Sequence, residues 1–171
     1  MKILDQRAID QKTKRLAIEI LERNFGEEEI ILAGINNNGL EFAQMLLTQL
    51  LGLQADWPEE RRSMITLTRI RLNPANPVAG EIHIEMPIEY LRDKAIILVD
   101  DVANTGRTVF FATKPLFETL PKRVEVAVLV DRKHKSFPIL VDYVGLSLNT
   151  TLQENIDVQI RGVEEAAVFL S

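Results

Sequence analysis

An open α/β sheet, mostly parallel and flanked by helices, is the architecture this sequence predicts, and three features predict it. Short uninterrupted apolar runs such as Ile30–Ile35, Ala95–Val99 and Val124–Val130 look like strands buried on both faces of a parallel sheet. Stretches with apolar residues at helical spacing lie between them, the alternation that builds strand–helix–strand units. With 171 residues, 46% hydrophobic and 26% charged, the chain suits one domain with a two-sided core, expected to span residues 1–171 without repeat or linker.

Ile9 to Phe25 carries Ile9, Leu16, Ile20 and Leu21 among charged positions, an amphipathic helix closing near Gly26. Ile30–Ile35 then runs into an Asn/Gly cluster, and Leu40 to Leu51 resumes helical spacing through Phe42, Leu46, Leu47, Leu50 and Leu51. Gly52 to Glu85 is less regular. Met64–Thr68 reads as a strand, Arg69 to Gly80 with Pro74 and Pro77 as a mobile loop, and Glu81–Glu85 as a half-exposed strand. A second strand–loop–helix unit covers Ala95–Val99, an acidic loop, and Thr105 to Leu120, where Pro115 should kink or shorten the helix by removing a backbone donor. Val124–Val130 is a further buried run and Ile139–Val144 another. Ile156–Ile160 and Ala166–Leu170 have the pattern of a small antiparallel pair.

Composition excludes several classes of function. A net charge of −5 argues against wholesale attraction to nucleic acid, although a local basic face stays open. The absence of cysteine rules out disulfides, iron–sulfur clusters and thiolate zinc sites. No apolar run approaches a membrane span, and Met1–Arg7 lacks the apolar stretch of a secretory signal. A cytoplasmic protein with no membrane partner is therefore expected.

The chemistry concentrates in Val99-Asp100-Asp101-Val102-Ala103-Asn104-Thr105-Gly106-Arg107-Thr108. Two adjacent carboxylates at a strand's carboxyl end repel one another and are costly without a task. Successive side chains on a strand point apart, so both are not expected on one metal. They suit vicinal hydroxyls as hydrogen-bond acceptors, or a hydrated cation. In Thr105-Gly106-Arg107-Thr108, small residues open a helix, and free backbone N–H groups with two hydroxyls form a phosphate cradle. Gly106 lets the backbone approach the anion closely. The alternative is a strand–turn–helix with a capped start and a solvated acidic turn; the full string after a buried strand favours a sugar phosphate.

This segment resembles the phosphoribosyl pyrophosphate-binding motif of type I phosphoribosyltransferases: two hydrophobic residues, two acids and a Thr-Gly loop. The likeness extends to Ile3-Leu4-Asp5, Ile20–Asn24, Leu32–Ile35 with Gly39, and Ile65-Thr66-Leu67. It is strongest at Ala127–Lys135, followed by Pro138-Ile139 and Asp142–Gly145. Together these look like the pyrimidine-operon regulator and uracil phosphoribosyltransferase group, called PyrR, over roughly Ile3 to Leu148; from Thr150 onward little matches. The resemblance implies about five parallel strands and a small hood closing over a base. The implied reaction displaces pyrophosphate from the anomeric carbon by a nucleobase nitrogen, giving a nucleoside monophosphate. It further implies Mg2+ on the pyrophosphate, reached indirectly through Asp100 and Asp101, catalytic parts for these two acids and Arg69, and phosphate and ribose contacts along Asp100–Thr108. Asn36, Asn37, Asn38 and Gly39 would form the pyrophosphate loop, and Asn104, Asp131 and Arg132 the base pocket. A homodimer or higher homo-oligomer is expected, with Trp57, Phe110 and Phe111 offering apolar surface.

Several positions depart from the PyrR pattern. Its first loop reads Lys-Thr-Arg-Gly, where this chain has Asn36-Asn37-Asn38-Gly39. Amides bond phosphate oxygens without neutralising them, and each lost cation weakens the anion site by roughly 1.5–3 kcal/mol unless Arg69 or Arg71 compensates. Thr68 replaces a Tyr, and Ile70 and Arg71 replace two acids. Asn104 stands where the group has Tyr and purine-specific relatives an Asp; Asn is no general base at neutral pH, which disfavours purine transfer. Two alternatives follow: a catalytically weak relative that senses nucleotides, or an RNA-binding attenuator using Arg132, Lys133, His134 and Lys135, a stretch that also reads as a solvated turn; the acid balance and the missing Lys/Arg pair of the first loop stand against the attenuator. Arg61 and Arg62 read as surface or subunit contact, His83 as a strand-face residue without catalytic duty.

Overall fold

The computed structural model describes residues 1–151 and 153–171. Its main sheet has six strands: β2 (Glu29–Ile35), β3 (Met64–Arg71), β4 (His83–Ile84), β5 (Ala95–Ala103), β6 (Arg123–Arg132) and β7 (Tyr143–Leu148), in the order β4-β3-β2-β5-β6-β7. All neighbours pair in parallel except β3 and β4. The five-stranded parallel core is thus present, extended by a two-residue antiparallel edge. α1 (Gln6–Arg23) and α2 (Asn36–Gln54) share one apolar cluster with Ile30, Leu32, Ile97, Val99 and Leu129, while Ile31, Ala33, Ile96, Leu98 and Val128 face a second cluster with α3 (Arg107–Ala112). Alternate residues of the same strands feed opposite cores, which is why each strand reads as an unbroken apolar run. A second sheet joins β1 (Lys2–Leu4), β9 (Ala167–Leu170) and β8 (Ile156–Gln159), so both ends of the chain meet in the hood.

Several boundaries move. α2 begins at Asn36, four residues before the apolar spacing that signals it, because asparagine favours caps and turns over helix interiors and so hides a helix start. The helix expected over Thr105–Leu120 is the six-residue α3 followed by a 3-10 turn, Lys114–Glu118, with Pro115 in its first turn. β5 runs through Asp100 and Asp101 instead of stopping at Val99. β7 starts at Tyr143, because Asp142 pairs with Val126 through both backbone and carboxylate and delivers the chain to β6 only there; Ile139 and Val141 cover the second core from a loop. Among the described residues no helix is long and apolar enough to cross a membrane.

Candidate functional site

The strand order reverses between β2 and β5. From β2 the chain crosses through α2 to β3 on one side, and from β5 through α3 to β6 on the other, so a crevice opens beyond their carboxyl ends. A cavity of about 450 Å³ fills it, lined from β2 and α2 by Asn36, Asn37 and Asn38, and from β5 by Asp100 and Asp101. Val102, Asn104, Thr108, Pro74, Ile156 and Arg161 complete the wall. Gly39 is not part of it. A Cβ there would stand 2.5 Å from the Val99 carbonyl oxygen, so Gly39 serves the close packing of α2 on β5.

Although consecutive on a strand, both acids border this cavity. Asp100 is 8% exposed, and its Oδ1 accepts the Asp101 backbone N–H at 2.9 Å. Asp101 accepts the Val102 N–H at 2.9 Å on Oδ1 and the Asn38 amide at 3.1 Å on Oδ2. Burial, and then the neighbouring Asp101 charge, push the Asp100 carboxyl well above the usual carboxylate range.

The cradle beside it, about 290 Å³, is lined by Val102, Ala103, Asn104, Thr105, Gly106, Arg107 and Thr108. Gly106 is left-handed at φ 83°, and the Thr105 carbonyl accepts the Ser136 and Phe137 N–H groups at 2.9 and 3.2 Å, so the turn is held from outside. With α3 only six residues long, the turn offers an anion local N–H groups and hydroxyls more than an aligned helix dipole. Arg107 donates to the Pro74 carbonyl at 2.7 Å, docking the 73–80 loop over the cradle.

The asparagine triplet is bonded to protein. Asn36, at φ 54°, accepts the Leu72 N–H at 3.0 Å, Asn37 accepts Arg69 Nη1 at 2.7 Å, and Asn38 donates to Asp101. Arg69 and Arg71 both turn to Glu85: Arg69 Nε and Nη2 at 3.0 and 2.7 Å and Arg71 Nε at 2.8 Å, all on Oε1. Their hydrogen bonds hold the Glu85 carboxyl below its ordinary range.

Arg132, which the resemblance puts in a base pocket, is bonded within the protein. Its guanidinium donates to Thr150 Oγ1 at 2.7 Å, the Thr151 carbonyl at 2.8 Å and the Glu154 carbonyl, bracing the segment that leads to the hood. Asp131 is paired with Lys135 at 2.6 Å. Neither lines the cavity beside Asp100 and Asp101, whereas Asn104 borders both cavity and cradle. Sequence reasoning also missed Pro74, Glu85, Ile156 and Arg161. The last two come from the C-terminal stretch, and a lone arginine after an apolar strand carries no local mark of a site.

The phosphoribosyl transferase domain model matches residues 1–164. A bifunctional protein PyrR from Clostridium acetobutylicum is 35% identical over 167 residues, covering 96% of this chain and 92% of the relative. A second, from Clostridium botulinum, is 37% identical over 165 residues, covering 95% and 90%. Among solved structures, a hypoxanthine-guanine phosphoribosyltransferase from Bacillus anthracis superposes with a TM-score of 0.71 at 19% identity, covering 97% of this chain and 95% of that one, a likeness of fold. A sheet reversing beside two acids and a Thr-Gly turn thus coincides with a match over nearly the whole sequence, and the chain belongs to the phosphoribosyl transferase domain family.

Proposed function

We propose that this protein moves the 5-phosphoribosyl group of phosphoribosyl pyrophosphate to a nucleobase, a pyrimidine such as uracil, releasing pyrophosphate. The supporting observation is the convergence of Asp100, Asp101, Asn104 and Thr108 with Asn36–Asn38 on one cleft. The two carboxylates accept the ribose hydroxyls, the Asn104–Thr108 turn takes the 5-phosphate, and the leaving pyrophosphate lies toward Asn36–Asn38 with Arg69 and Arg161 as its cations. Catalysis is then orientation plus stabilisation of the separating charge. Mg2+ fits this cleft as an ion carried on pyrophosphate, neutralising its charge: two adjacent acids can hold its waters, and among the described residues no group of three or more acidic or imidazole side chains forms a cage. The choice of pyrimidine rests on the resemblance in sequence and on Asn104, which cannot take a proton from a purine. Incubation with phosphoribosyl pyrophosphate, Mg2+ and each common base tests the reading. Uridine monophosphate is the expected product; no nucleotide from any base, beside an active control, overturns it.

One observation favours a second reading, a nucleotide sensor with little turnover: an oxygen of Asn36 and of Asn37 and an N–H of Asn38 are engaged by protein, and Glu85 offsets Arg69 and Arg71. Calorimetry that detects uridine monophosphate but no phosphoribosyl pyrophosphate selects it. Of the three cations offered for RNA, Arg132 is turned inward and Lys135 is paired, so a steep salt dependence of RNA binding is not expected. For self-association, the half-exposed Phe110 lies 5.4 Å from Phe137 and offers apolar surface, and Trp57 is partly buried against the first core. Sedimentation checks the expected homo-oligomer.

A further inference from the structure

Arg69 is held from two sides. Glu85 stands opposite it across the β3–β4 edge, its backbone N–H bonded to the Arg69 carbonyl at 3.0 Å, so the two side chains leave the sheet together. Glu85 Oε1 receives Nε and Nη2, and Asn37 Oδ1, in the first turn of α2, receives Nη1. Three of the five guanidinium N–H donors are thereby spent. Two remain, on a side chain that is 19% exposed and bonded to Asn37, a wall residue of the sugar-phosphate cavity. A free arginine loses rotamer freedom when it grips an anion; one already immobilised loses little.

We propose that Asn37 and Glu85 are positioning residues that clamp Arg69, presenting its two unspent donors to the pyrophosphate end of the cleft. This rests on the transferase reading above. Glu85 carries a negative charge and also receives Arg71, so it has an opposite possible effect, that of an internal competitor for the substrate anion. The competitor and the clamp predict opposite signs when the carboxylate is removed.

The test is calorimetry of Mg2+–phosphoribosyl pyrophosphate binding, with steady-state transfer in parallel, on the full chain and on Glu85→Ala, Glu85→Gln, Asn37→Ala, Arg69→Ala and Arg69→Ala/Glu85→Ala, each checked for an unchanged melting transition. Glu85→Ala and Asn37→Ala are expected to weaken binding about tenfold, the loss of one charge-assisted contact's worth of order. Glu85→Gln, which keeps an acceptor oxygen in place, recovers part of that loss. In the Arg69→Ala background the Glu85→Ala change is expected to add nothing, because a positioning residue has no effect once its client is gone. Tighter binding by Glu85→Ala, or equal losses with and without Arg69, overturns the clamp while leaving the transferase reading intact. A wild-type chain that binds no phosphoribosyl pyrophosphate overturns both. Should Glu85→Ala melt early, Glu85→Gln and Asn37→Ala carry the test: binding unchanged in Asn37→Ala overturns it.

Discussion

Asp100 is buried beside a second carboxylate, so ionising it is opposed in the ligand-free fold. Its carboxyl lies above the unfolded value of about 3.9, so its contribution to stability is complete below that pH and fades as pH rises through the folded value. Asp100→Asn keeps an acceptor for the Asp101 N–H while removing the charge. Its melting temperature is expected to exceed the parent's at neutral pH, by about 2–4 °C for each kcal/mol gained, and nucleotide affinity to fall. Thermal scans across pH with parallel calorimetry check both, and a lower melting temperature contradicts the assignment. The adjacent acids and the Thr-Gly turn were legible as a site from their residue types. What the asparagines bond to was not, because their partners, Arg69 of β3, Leu72 just after it and Asp101 of β5, are distant in sequence.

At the level of elements, α2 reaches the cleft because nothing projects from Gly39. Gly39→Ala drives a Cβ against the Val99 carbonyl, a backbone atom of a central strand that has no room to yield. The expected cost is that of overpacking, about 1–3 kcal/mol, read as a lower midpoint in urea denaturation with an unchanged slope. At the opposite ends of the strands, Glu29 of β2 accepts Thr66 Oγ1 of β3 at 2.5 Å, Tyr90 Oη at 2.9 Å and Lys94 Nζ at 3.1 Å. Burial raises its carboxyl, but these three hydrogen bonds and the Lys94 charge outweigh burial and hold it below the ordinary range. That stability is present above the unfolded value of about 4.3 and is lost as pH falls through the folded one. Glu29→Gln is therefore expected to flatten the acid limb of a melting-temperature profile; an identical limb in the variant refutes it. The period and length of these elements were readable in advance. The shortening near Pro115 was readable too, but the start at Asn36 was not, since asparagine gives no helix signal there.

Across the whole molecule, the hood is assembled from both ends of the chain, with β1 paired to β9 and Ile156 and Arg161 borne on the segment around β8. Arg132 braces that segment against the end of β6. Arg161→Ala is expected to lower phosphoribosyl pyrophosphate affinity about tenfold, as for a lost charge-assisted contact, and to leave the melting temperature near the parent's because the side chain is exposed. Arg132→Ala, whose guanidinium holds Thr150 and Thr151, is expected to lower both, and limited proteolysis should then cleave first near residues 150–155.

By itself the sequence determined the alternation of buried strands and amphipathic helices, the place of the acidic pair, and the turn that follows it. These are local consequences of side-chain burial and charge. Only the tertiary structure decided that Asn36–Asn38 face those acids across a reversing sheet, that Glu85 takes up two arginines, and that Arg161 closes the cleft. Such pairings depend on strand order and on where the second sheet sits, which bring together residues that no local pattern links.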